Sequence, residues 1–289
     1  MTVANATPSQ RRVLKALQNQ AADMRSRQDS QQASGTEPTP AWTQDMASRT
    51  TQRNELAAAA EAGGVPDAWI DQARERGAKN IRWNTNLFLR PASRVDRNIL
   101  LERLGADYAL LARFCGIHAN YGPVAATTEP TARNTVDQVV STLWQRSTQI
   151  GVLLGVDAAE AQQHWPTTEW MHTAAAAAAG LSADQLAHQW RQIAATDITS
   201  YSTQVLALSK AGITPDPQFA PPDPSTALAT LAQHHLHPQV QFSDAEGAQI
   251  EAAVAATGTQ AGDLAEPDPL MNPPEFSHEP HRNTPGIEL

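Results

Sequence analysis

Two residue pairs put a carboxylate and an imidazole on one helical face. Glu169 and His172 stand three positions apart and Glu160 and His164 four, so each pair spans about one helical turn. The Glu-x-x-His spacing is that of carboxylate-bridged di-metal bundles, which need a second such motif and further inward glutamates. Neither accompanies Glu169 and His172, so polar pairs on a helix surface are the better reading and a metal-dependent enzyme is the weaker alternative. His234, His235 and His237 crowd against Pro238 without a spaced carboxylate and read as a solvated, His-rich helix end. The lone Cys115 excludes an intramolecular disulfide and a cysteine-built zinc site. Its neighbours Leu111, Phe114 and Ile117 point to a buried thiol. His118 and His188 read as buried neutral or surface histidines. The phosphate-cradling loop GxxxxGK[ST], the dinucleotide fingerprint GxGxxG and the nucleophile elbow GxSxG are all absent. No catalytic residue, metal or cofactor is assigned.

Chemistry directed at a polyanion has a firmer foothold. Residues 74–97 contain Arg74, Arg76, Lys79, Arg82, Arg90, Arg94 and Arg97 against only Glu75 and Asp96, with Trp83 and Phe88 interleaved. Cations for phosphates and aromatic faces for bases are the combination that single-strand grooves use, so these cations with Trp83 form the candidate nucleic-acid surface. No recognisable motif organises them, and Asn84-Thr85-Asn86 and Pro91 break the middle of the segment. The alternative is that Trp83 and Phe88 anchor a connecting loop while the arginines are solvated. Just upstream, Ala60, Gly64, Val65, Ile70 and Ala73 partly match helix-turn-helix spacing. Gly63 falls where that motif wants an apolar residue, and Asp67, Asp71 and Glu75 on the would-be reading helix repel phosphate. An ordinary packed hairpin is the better reading.

The elements that must position these residues are helical. Of 289 residues, 51 are Ala and 24 Gln, while aromatic residues make up 5%, a composition that favours helices and disfavours a β-sandwich. The net charge of -9 is unevenly spread: residues 1–133 carry 17 Lys+Arg against 13 Asp+Glu, and residues 134–289 carry 4 against 17. Opposite signs in the two halves bear on association rather than on fold.

Capping patterns divide the chain. Thr7-Pro8-Ser9-Gln10 opens a helix whose apolar stripe, Val13, Leu17, Ala21 and Met24, is narrow and ringed by basic residues. A narrow stripe predicts a basic arm, followed by a flexible linker over 30–46. Helices are expected over 47–62 and from Pro66 through Gly77. A long helix from the N-cap Asp96, with Ile99, Leu100, Leu104, Tyr108, Leu111, Cys115 and His118 inward, should end before Gly122-Pro123. Another runs from Val136 to Leu154, closed by Gly155, and Asp157 caps the next. Shorter helices follow over 167–179, 183–195 and 198–210. Pro215, Pro217, Pro221, Pro222 and Pro224 then read as a stiff, extended linker. A helical pair over 225–236 and 244–257 precedes a Pro-rich acidic tail from Thr259, which reads as disordered.

The expected fold is therefore all-α, with helical bundle modules, a flexible N-terminal arm, a Pro-rich linker and a disordered acidic C-terminal tail. Its expected divisions are 1–46, 47–130, 131–212, 213–258 and 259–289. No apolar stretch reaches the roughly 18 residues of a membrane span, and the first 30 residues hold no apolar run longer than Val13-Leu14, so no membrane partner is expected and the cytoplasm is the expected compartment. The expected function is that of a non-catalytic helical interaction or scaffold protein with a protein partner. A nucleic-acid-associated protein using residues 74–97 is the alternative.

Overall fold

The computed structural model describes residues 6–85, 87–93 and 95–236, with backbone alone at 234–236. Arg94, the side chains of the His234, His235 and His237 cluster, the helix expected at 244–257 and the acidic tail at 259–289 lie outside the described residues. The described chain is all-α: α1 (Pro8–Ala33), α2 (Pro40–Ala62), α3 (Asp67–Ala78), α4 (Arg97–Thr128), α5 (Pro130–Leu154), α6 (Ala158–His164), α7 (Thr167–Ala176), α8 (Ala183–Ala194), α9 (Thr199–Lys210) and α10 (Pro224–Leu236). None of the described helices is long and apolar enough to cross a membrane.

Side-chain caps place the helix starts. The Thr7 hydroxyl accepts from the Gln10 N–H while the Gln10 side chain accepts from the Thr7 N–H, and Pro8 occupies a position whose N–H has no helical partner. The same reciprocal cap joins Asp157 to Glu160 before α6 and Ser182 to Gln185 before α8. Asp96 accepts from the N–H groups of Asn98 and Ile99 at the start of α4, and Gly155, at φ 64, closes α5.

One hydrophobic core runs through these helices, and Met1–Pro238 forms one compact unit. The division expected at 46/47 falls inside α2. That at 130/131 falls at the start of α5, whose Val136, Val139 and Leu143 share the core with Leu104, Tyr108 and Leu111 of α4. The basic arm is likewise part of the core: Val13, Leu14 and Leu17 are fully buried. A narrow stripe suffices because α3 turns a glycine toward it. A Cβ on Gly77 would overlap Ala21 and the Gln18 carbonyl, so the two helices meet almost backbone to backbone. Arg12 Nη1 adds a hydrogen bond of 3.1 Å to the Gly212 carbonyl. The linker expected over 30–46 shrinks to 34–39, since α1 continues to Ala33 and the Thr39 hydroxyl caps α2.

The helix expected to stop before Gly122-Pro123 instead continues to Thr128. Proline disfavours a helical predecessor through a clash with that residue's Cβ, and Gly122 has none. The same missing Cβ leaves room for the His118 ring one turn back, 2.8 Å from where it would stand. His118 is buried between α5 and α8. Its Nδ1 accepts from the Trp190 indole N–H at 3.1 Å, so the ring proton sits on Nε2, which donates to Asp137 Oδ1 at 2.7 Å. Burial also pushes the neighbouring Cys115 thiol up to about 12.

The Pro-rich segment is a packed strap rather than a free linker. The Trp144 indole donates to the Pro221 carbonyl at 3.1 Å, the Trp165 indole donates to the Phe219 carbonyl at 2.9 Å, and Gln149 Nε2 donates to the Ile213 carbonyl at 2.8 Å. Proline-rich chain is short of N–H donors and cannot run on as a helix, and indole N–H groups on α5 and beside α6 take up the Pro221 and Phe219 carbonyls.

The tightest crossing is between α4 and α7. A Cβ on Gly116 would overlap the Ala174 carbonyl oxygen and lie 2.8 Å from Ala177 Cβ. Gly116→Ala is therefore expected to destabilise the fold by about 1–3 kcal/mol despite alanine's better helix propensity. Thermal unfolding followed by circular dichroism checks this, and an unchanged or raised Tm would refute the close crossing.

Candidate interaction surfaces

The basic segment begins on the last turns of α3 and crosses that helix as an irregular strand of chain before entering α4. Gln72 holds it from below: its Nε2 donates to the Phe88 carbonyl at 2.7 Å and its Oε1 accepts from the Arg90 N–H at 2.8 Å. The Trp69 indole donates to the Arg90 carbonyl at 2.9 Å, and Leu87 and Leu89 are buried beneath. The segment is thus fixed on the core, which sets where its cations point.

Most of those cations meet acids. Arg82 pairs with Asp23 of α1 at 2.7 Å, Arg74 lies 3.8 Å from Asp71, and Arg90 forms a forked pair with Glu75. The Arg90 guanidinium holds the Glu75 carboxyl below the usual carboxylate range. Arg97 is an internal brace. It binds Glu160 at 2.6 Å and donates to the carbonyls of Leu154 and Gly155, groups that the end of α5 leaves without helical partners. Arg76 is half-buried and Lys79 exposed. Trp83 is half-buried against the core while Phe88 is 61% exposed, so the two aromatic residues do not form one stacking platform. Four of the segment's described cations, Arg74, Arg82, Arg90 and Arg97, thus face carboxylates.

On α3, Asp67, Asp71 and Glu75 form a single exposed ridge, one per turn, where a DNA-reading helix needs neutral or basic side chains. The Glu169 and His172 pair is exposed on α7, and Glu160 turns to Arg97 rather than to His164. Among the described residues, no three His, Cys, Asp or Glu side chains gather as metal ligands.

A different surface emerges beside the segment. The corner between α2 and α3 and the first turns of α4 enclose a groove of about 550 Å³, lined by Ala58, Ala62 and Ala68 from the corner and by Val95, Ile99 and Leu100 from the start of α4. It continues past Arg103 into a second hollow of about 390 Å³ that reaches Asp107 and Arg146. Val95 and Ile99, four residues apart, remain 38% and 45% exposed on its floor. Sequence periodicity had assigned Ile99 to the buried face of α4; it sits instead at the edge of that face, beside Leu100, which is buried. Glu61, Asp67 and Asp96 stand around the opening.

Comparison with protein families, curated proteins and solved structures yields no match. The site must therefore be read from its own chemistry. Its lining is apolar and rich in alanine, with charged side chains around it.

Proposed function

We propose that this chain is a non-catalytic helical interaction protein that holds a segment of a protein partner in the groove between the α2–α3 corner and α4. One observation carries the reading: two large apolar side chains, Val95 and Ile99, are left in water on the floor of a preformed concavity. Exposed apolar groups gathered in a groove mark binding surfaces, whereas scattered ones do not. Bracing of the chain on either side supports it too, since Gln72 holds Phe88 and Arg90 and Arg97 ties the start of α4 to Glu160, so that less ordering remains to oppose binding. The reading of residues 74–97 as a polyanion surface has less to work with, because Arg82 and Arg90 would first have to leave Asp23 and Glu75.

Selection of a random linear-peptide library on the intact chain tests the proposal. Peptides should be enriched whose affinity falls at least about tenfold on Ile99→Asn, a loss of roughly 1.4 kcal/mol. Enrichment of nothing, or only of peptides indifferent to both Ile99→Asn and Val95→Asn, would overturn it.

A further inference from the structure

The rim of the groove restricts what its occupant can be. Of the described charged residues around the larger hollow, Glu61, Asp67 and Asp96 are acidic and Arg103 is basic. No ion pair engages Glu61 or Asp67 among the described residues, so their charge is available to a partner. The acidic ridge of α3 continues outward from Asp67 through Asp71. Below the rim the walls are built from alanine, and small residues let a helix approach another helix closely. Ile99, Arg103 and Asp107 follow one another at four-residue intervals along α4. They cover roughly 12 Å of its length, a trough that holds about two turns of a partner helix.

We infer that the groove receives an amphipathic helix of a partner protein, with its apolar face on Val95 and Ile99 and lysine or arginine residues on its flank toward Glu61 and Asp67. This rests on the groove being the binding surface and goes further by fixing the conformation and the charge of the ligand. Exposed carboxylates at the rim act chiefly on encounter and on choice of partner, while the apolar floor supplies most of the affinity.

Two synthetic peptides of about 18 residues separate the alternatives, each with leucine at helical i, i+3, i+4 and i+7 spacing and with either lysine or glutamate at the remaining positions. Fluorescence anisotropy with the intact chain should show the lysine peptide binding at least about tenfold more tightly than the glutamate peptide, less so at high salt. The preference should reverse in the Glu61→Lys, Asp67→Lys double variant, and Ile99→Asn should weaken either peptide. Equal binding of both peptides, lost on Ile99→Asn, would overturn the charge assignment and leave the groove standing. Binding of the lysine peptide that survives both the reversal and Ile99→Asn would place the contact elsewhere on this acidic protein and overturn the inference. If neither peptide binds while library-selected peptides do, the helical basic ligand is overturned but the groove is not.

Discussion

Replacing Trp190 by alanine is expected to destabilise the fold by about 3–5 kcal/mol, because a fully buried indole is lost and the space it leaves cannot fully collapse. Trp190 stacks near His118 and tilts against Tyr121, so α4 and α8 lose their shared anchor. The same change removes the hydrogen bond to His118 Nδ1, and Trp190→Phe separates the two effects. Phenylalanine keeps most of the apolar volume but leaves a buried ring nitrogen without a donor, a penalty of about 1–3 kcal/mol. Urea denaturation followed by far-ultraviolet circular dichroism measures both variants. A phenylalanine variant within about 0.5 kcal/mol of the parent would show that the Asp137–His118–Trp190 chain is dispensable.

The second large effect is expected at Arg146, which joins α5 to α4 and α9 and, through Gln204, to α2. Its Nη1 donates to Asp107 of α4 at 2.9 Å, its Nε donates to Gln204 of α9 at 2.7 Å, and its guanidinium lies 4.5 Å above the Tyr201 ring. Gln204 and Ser200 in turn donate to Glu55 of α2. Arg146→Met should destabilise by about 2–4 kcal/mol, somewhat less than for a fully buried pair because Asp107 retains partial contact with water. Burial already raises the Asp107 carboxyl above its ordinary value, opposed by Arg146. Without the arginine it rises further, and a carboxyl raised by folding binds its proton more readily in the native state. The penalty is therefore fully present at neutral pH and shrinks as pH falls through the raised value. A defect relative to the parent that grows between neutral pH and about pH 4 would refute this account. Arg146→Met combined with Asp107→Leu should recover much of the loss, since no uncompensated charge then stays behind.

Helix starts were legible in the sequence at four places where a side chain caps its own backbone, though not at Thr39, whose cap lies in a stretch that reads as a linker. Thr7, Asp96, Asp157 and Ser182 act within three residues, and that range is what a linear pattern records. What escaped depends on distant partners. The stripe of α1 looked too narrow to pack because the partner that completes it is the missing side chain of Gly77. The prolines after Ile213 signalled a linker because nothing in their neighbourhood shows that Trp144 and Trp165 will bond the carbonyls of Pro221 and Phe219.

The candidate surface follows the same division. The cations of residues 74–97 were visible, but Asp23 and Glu160, which neutralise two of them, lie 59 and 63 positions away. The groove was hidden because its walls come from residues 58–68 and 92–103, each unremarkable alone. The one available hint was Val95 preceding Ile99 by a helical turn across the Asp96 cap, which prolongs an apolar edge beyond the start of α4.

The network joining Glu55 to Ser200 and Gln204 also orders events during synthesis. Thr199, the first residue of α9, is made 137 positions after Ala62, the last of α2. At about 5–20 residues per second that interval is roughly 7–27 s. Throughout it, the Glu55 side of α2 lacks a cover that has not yet been translated, so a segment made early is among the last to be enclosed.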